Sequence, residues 1–214
     1  MNEFSAQSKR SAADSPYAHV INQQGSTLLE LMVALLVLGI LMAIGIPQMS
    51  DWIRRSSVST AAESLQNGLR QATTEAIRRN LRVEFLLTND TPTVSGVASL
   101  LPSANGANWA ARTRAGAEAA VSHVASLAMK EISTDVTLEG PAKLLFNGMG
   151  RVSDADGAAI SSRQFYRVSR AGTDRAVCVF VTPGGAVKSC DPSLPVGHPS
   201  ACLPRVPSSQ CPKP

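Results

Sequence analysis

Nineteen consecutive positions, Leu28 to Ile46, hold a single charge, Glu30, and from Leu31 onward carry neither a charge nor a polar side chain. As a helix rising about 1.5 Å per residue this stretch spans roughly 28 Å, the hydrocarbon thickness of a bilayer. One membrane-crossing helix is the default expectation, and Pro47 closes the run. A cleaved secretory signal is the competing reading, but its apolar core usually runs about 7 to 15 residues and is not preceded by a long polar segment such as the one here. Glu30 also argues against it. A carboxylate inside a membrane segment costs up to about 3 kcal/mol near the centre and normally has a partner or a function. Close to the segment's end the cost falls, so a merely tolerated interfacial Glu30 is the bland alternative.

Helical periodicity continues past Pro47. Leu65, Leu69, Ala72 and Ala76, joined by Val58, Ala61, Ala62 and Ile77, form one apolar stripe. Arg54, Arg55, Glu63, Arg70, Glu75, Arg78 and Arg79 populate the other side as a wetted face. From Leu28 to about Asn80 the pattern predicts one helix of roughly 80 Å, its first half in a membrane or filament core and its second half packed on a soluble head. Pro47 removes a backbone hydrogen bond and is expected to kink or locally melt this helix, either as a flexible joint or as a plain bend.

Beyond Asn80 the period shortens. Leu81 to Leu87 alternates as a strand, and further strand candidates are Asp135 to Glu139, Lys143 to Asn147, Arg163 to Ser169 and Arg175 to Thr182. Turn signals separate them, among them Asn89-Asp90-Thr91-Pro92, Asn147-Gly148 and Pro183-Gly184-Gly185. Ala117 to Lys130 is rich in Ala, with Val121, Val124, Ala125 and Ala128 at helical spacing, and reads locally as a helix. The predicted class is α+β: a long N-terminal helix packed on a mainly antiparallel sheet, in a head of about 130 residues that is large enough for one core.

All four cysteines, Cys178, Cys190, Cys202 and Cys211, fall near the C-terminus, where Pro and Ser are dense. An even count beyond a membrane points to disulfides in an oxidising compartment. Of the three pairings, Cys178 with Cys190 and Cys202 with Cys211 are favoured because each closes a short loop. Zinc competes poorly, since no pair is spaced as CxxC.

Enzymatic chemistry finds little support. His19, His123 and His198 lack sequence neighbours that would make a nucleophile and base pair. Asp154 and Asp156 before Gly157 resemble the start of a calcium loop whose later oxygen ligands are missing, so an ordinary turn is preferred. Trp52 suits a membrane interface, and with Trp109 it is too isolated to make a stacking platform for single strands. No cofactor and no metal are expected. The formal net charge of +4 is explained by a solvated surface.

Gly25-Ser26-Thr27-Leu28-Leu29-Glu30 followed by an apolar helix resembles the processing site of type IV prepilins and type II secretion pseudopilins, with Ser26 where Phe or Met is commonest. Gly39 and Pro47 also stand where such proteins commonly carry a helix Gly and Pro. The run Leu144 to Val152, the Phe165-Tyr166 strand, Ala176 to Val181, and Val187-Lys188-Ser189-Cys190 after a Gly-rich turn are similar to the GspH/FimT group, minor pilins of type IV pili and minor pseudopilin H of type II secretion. The resemblance implies a type IV pilin-like fold and four regions: a leader over 1–25 that is removed, a transmembrane and assembly helix over 26–53, a head over 54–190 and a disulfide-tied Pro-rich tail over 191–214. It implies cleavage between Gly25 and Ser26 by a prepilin peptidase on the cytoplasmic side and N-methylation of Ser26. Glu30 then neutralises the Ser26 amine of a neighbouring subunit, in keeping with the need of a buried carboxylate for a cation. The implied partners are other pilins or pseudopilins, met through the N-terminal helix, together with the peptidase and the inner membrane, with the head in the periplasm. Some pilus members take up DNA through a Gly-Arg-x-Arg motif. Here the aligned residues read Gly185-Ala186-Val187-Lys188, one lysine for two arginines, so DNA uptake is the lesser reading. A membrane-anchored adhesin head that never polymerises is the rival from another class.

Overall fold

The computed structural model describes residues 27–114, 120–204, 206 and 210–212. Gly25, Ser26, His19 and the rest of the leader region lie outside the described residues. The chain divides into two units, one reaching to Ile44 and one starting at Gly45. Helix α1 (Leu28–Arg79) runs through both, unbroken at position 47. In the first unit the described residues are Thr27 and the opening turns of α1, and every one of them is exposed.

Among the described residues, the second unit is built from the rest of α1 and nine strands: β1 (Arg82–Thr88), β2 (Asn108–Arg114), β3 (His123–Ala128), β4 (Val136–Glu139), β5 (Lys143–Phe146), β6 (Val152–Ser153), β7 (Gln164–Arg170), β8 (Ala176–Val181) and β9 (Val187–Cys190). They form two sheets, ordered β3-β2-β1-β5-β6 and β4-β7-β8-β9, and every ladder is antiparallel. The expected class is therefore what the chain adopts, with two sheets in place of one.

Alternation explains the core. Val83, Phe85 and Leu87 of β1 point to one side with Trp109, Leu144 and Phe146, and Val177, Val179 and Val181 do the same on β8; all are buried together with Val58, Ala61, Ala62, Leu65, Leu69, Ala72 and Ala76 of α1. The alanines let the helix approach the sheets closely. At Gly68 the approach reaches its limit, because a Cβ there would stand 2.5 Å from the Trp109 ring, whose Nε1 donates to Ser64 Oγ at 3.3 Å. Phe85 stacks on Trp109 at 5.6 Å and meets Tyr166 edge-on at 5.9 Å. Ile77, expected in the stripe, is exposed instead: it lies one residue past Ala76, around the helix from the buried row.

The outer side of the first sheet carries a second, smaller core of Leu86, Val97, Leu100 and Ala110. Beside it lies an ion pair. Glu84, fully buried, accepts from Arg112 Nε at 2.7 Å, with Arg114 Nη1 at 3.6 Å and Lys143 Nζ at 3.7 Å. Arg112 Nη1 donates to the carbonyls of Val97, Ala98 and Leu100 at 2.8, 3.1 and 3.2 Å, so one guanidinium ties the β1–β2 connection down onto the sheet.

Two expectations fail here. The segment read as a helix over Ala117–Lys130 contains strand β3 and a single 3-10 turn, Met129–Glu131, while residues 115–119 lie outside the described residues. Pairing with β2 from Asn108↔Ala128 to Arg112↔His123 decides the matter: Ala125 and Leu127, alternate positions on β3, sit opposite Ala111 and Trp109, and tertiary pairing outweighs alanine's helix preference. The favoured cysteine pairing is also wrong. Cys178 and Cys190 are register partners on β8 and β9, yet they bond to Cys211 and Cys202 respectively. The cause is that the tail folds back over the outer side of the second sheet. Asp191 N donates to Ser200 O at 2.8 Å and Asp191 bridges Ala201 in parallel, which sets Cys202 beside Cys190. All four sulfurs, with Phe165, Phe180 and Val206, then make a third small core.

Candidate assembly site

The start of α1 is defined by Thr27. Its Oγ1 accepts from Glu30 N at 3.2 Å and its carbonyl accepts from Leu31 N at 3.2 Å, so Thr27 caps the helix and Glu30 occupies the third helical position. That Thr-x-x-Glu spacing is the sequence signature of a capping box, whose Thr27 side-chain half is formed here; it is legible in the sequence and missed in a reading centred on the membrane cost. It places the carboxylate at the positive end of the helix dipole, where a negative charge is favoured by about 0.3–1 kcal/mol.

From Leu28 to Ile46 no apolar side chain finds a protein neighbour to bury it. The large ones are 47–76 % exposed, and the most apolar window has a mean hydropathy of 2.7. At roughly 1.5–3 kcal/mol for each large side chain left in water, such a surface requires a non-aqueous surround. Apolar exposure continues through Met49, Trp52 and Ile53. At Arg54 the character changes. Arg54 Nη1 donates to Gly172 O at 3.2 Å, Arg55 meets Asp174 at 3.0 Å, and Arg170 donates to Ser57 Oγ at 2.9 Å while contacting Asp135 at 3.2 Å. These ties fasten the helix to the β7–β8 hairpin.

The other sequence candidates are dispersed. His123 Nε2 meets Ser126 Oγ at 3.0 Å, and His198 Nδ1 accepts from Ser200 N at 3.1 Å. Asp154 Oδ1 accepts from the amides of Asp156 and Ala158 at 3.0 and 2.9 Å, the bonding of a turn completed by Gly157 at φ +87°. Trp109 belongs to the core, and Trp52 is exposed. Lys188 projects from β9 on its exposed side, and Gly185 takes φ +80° in the β8–β9 turn, where a Cβ would collide with the Gly150 carbonyl.

A sequence profile for "Type II transport protein GspH" matches residues 61–185, more than half of the chain. The chain belongs to the GspH family. A profile for the prokaryotic N-terminal methylation motif matches residues 21–46, which include Gly25, Ser26, Glu30 and the apolar run. Two crystal structures of the type IV minor pilin FimU of Pseudomonas aeruginosa are similar. One is 11 % identical with a TM-score of 0.43, covering 63 % of this chain and 97 % of FimU, and the other is 12 % identical with a TM-score of 0.46, covering 64 % and 90 %. Membership places this GspH-family chain among structural subunits of the minor pilin and pseudopilin class, and the methylation motif with its apolar helix fits a pilin anchored in the inner membrane.

Proposed function

We propose that this GspH-family chain is a minor pilin or pseudopilin, cut between Gly25 and Ser26, methylated on the Ser26 amine and built into a type IV pilus or a type II secretion pseudopilus through α1. The observation that carries the reading is the unburied apolar opening of α1 with Glu30 in its first turn. A free, methylated amine on Ser26 lies four residues before Glu30 in its own chain. In a bundle of staggered copies the Glu30 carboxylate meets the amine of a neighbour, which offsets the cost of both charges away from water. The role in such a filament is priming, tip formation or the pushing of substrate, with the head in the periplasm.

Mass spectrometry of the purified chain tests processing: the expected N-terminus is Ser26 bearing one methyl group, and an intact leader or an unmodified amine removes the proposal. Replacing Glu30 by Ala tests assembly and separates the filament subunit from a membrane-anchored adhesin head. Membrane insertion should persist while incorporation into sheared filaments falls. Unchanged incorporation would remove the main support for assembly through Glu30, and absence of the unaltered chain from sheared filaments would favour the adhesin.

A further inference from the structure

Between the exposed flank of α1 and strand β3 runs a groove of about 420 Å³ that assembly through the apolar end of α1 leaves without a role. Arg70, Gln71 and Thr74 line it from the helix, His123 and Val124 from the strand, and Arg79 lies at the helix end. Strand β3 is outermost in its sheet, and among the described residues no backbone hydrogen bond leaves the edge that faces away from β2. An open edge of this kind is a template for another strand unless it is guarded, and β3 carries neither Lys nor Pro to guard it. The groove is also cationic. Its one carboxylate, Glu75, is occupied by Arg78, which donates to it at 2.7 and 2.8 Å, and by Arg79. The Arg78 hydrogen bonds, aided by the charges of Arg78 and Arg79, hold the Glu75 carboxyl below the usual carboxylate range, so it stays ionised and engaged. Arg70 is exposed, and its guanidinium has no partner among the described residues.

We infer that this groove receives an extended acidic segment of a partner protein, which adds as a strand to the free edge of β3 and sets a carboxylate against Arg70. Two observations select a peptide over a nucleic acid. The open edge presents N–H and C=O groups at strand spacing, which a second peptide backbone matches and a sugar-phosphate backbone does not, and no Phe, Tyr or Trp lines the groove to stack on bases. Alternation supplies the recognition: along an added strand every second side chain faces the helix flank, so carboxylates at period two face Arg70 while the residues between them face away.

The test uses the full chain in detergent micelles and a fluorescent heptapeptide alternating Glu and Val. Saturable binding is expected, with the affinity lowered at least about tenfold by Arg70→Glu and by a smaller factor by Arg70→Gln, as loss of one charge-assisted hydrogen bond requires. Arg70 is exposed and unpartnered, so both variants should keep the circular dichroism of the parent. Two further peptides, N-methylated on the odd or on the even residues, separate strand addition from charge attraction. One should lose binding and the other keep it, because only one set of amides faces β3. Equal behaviour of the two, binding indifferent to Arg70, displacement of the peptide by a short DNA duplex, or failure of the unmethylated peptide to bind would each overturn the inference. Filament incorporation through Glu30 is read separately, so loss of one result does not decide the other.

Discussion

Tyr166 sits at the centre of the head with its hydroxyl buried and without a hydrogen-bond partner among the described residues. An unsatisfied buried polar group costs about 1–3 kcal/mol, so Tyr166→Phe should stabilise the chain by about 1–2 kcal/mol in urea unfolding. Burial also pushes the phenol well above its ordinary value. In the unfolded chain a tyrosine ionises from about pH 10, whereas the buried phenol stays neutral, so stability falls as pH rises beyond that point by up to about 1.4 kcal/mol per unit. The Phe variant should lack that alkaline loss, and unfolding midpoints on either side of pH 10 check it. Arg112 makes the converse case. Arg112→Ala leaves Glu84 buried with only its two more distant cations and frees three carbonyls, at an expected cost of about 3–5 kcal/mol. Replacing both residues by Leu should recover much of that loss, measured by the same midpoints. Neither residue is legible in the sequence, since a Glu inside Leu81 to Leu87 and an Arg in Ala-Ala-Arg-Thr-Arg look like ordinary surface charges until the β1–β2 register sets them opposite each other.

At the level of elements, periodicity served where one face of an element is apolar and the other wet. β1, β4, β5, β7 and β8 all overlap strands predicted by alternation and turn residues. β2 was invisible for the reason that buried Arg112, and it failed together with β3: Asn-Trp-Ala-Ala-Arg-Thr-Arg does not alternate, because its outward face is buried too, under the β1–β2 connection. The tail shows the limit of arguing from loop length. Short loops favoured Cys178 with Cys190, and the register does set those two opposite each other, but the tail's return across β8 and β9 brings Cys211 and Cys202 onto the same face, and the bonds form to the tail. Closing the Cys178–Cys211 loop of 33 residues contributes about 3–4 kcal/mol in the chain-entropy account. Tryptic digestion of the denatured, thiol-blocked, unreduced chain distinguishes the pairings. Cleavage after Arg175, Lys188 and Arg205 should give 176–188 linked to 206–214 and a separate 189–205 closed on itself, whereas either other pairing joins all three peptides.

For the whole molecule, the most informative residues stand at the beginning of α1. The apolar run, Glu30 and the methylation motif are legible because membrane insertion is decided by local composition, with no long-range contact needed. The groove beside β3 is not legible, since it exists only where a distant helix flank and an edge strand meet. Expected behaviour follows the same division: Glu30→Ala should lower incorporation into filaments without moving the thermal unfolding of the head, whose core contains no residue before Val58, and a calorimetric scan beside a shearing assay reads both. In the filament proposed above the head would bear mechanical load, and the strand-to-tail disulfides would decide how that load is shared. Tension entering near Cys211 reaches β8 through a covalent link at Cys178, so the 33-residue separation between them stays reeled in. Reduction would release about 110 Å of slack contour in a pulling experiment, and the oxidised head would behave as a strap that cannot pay out from its end.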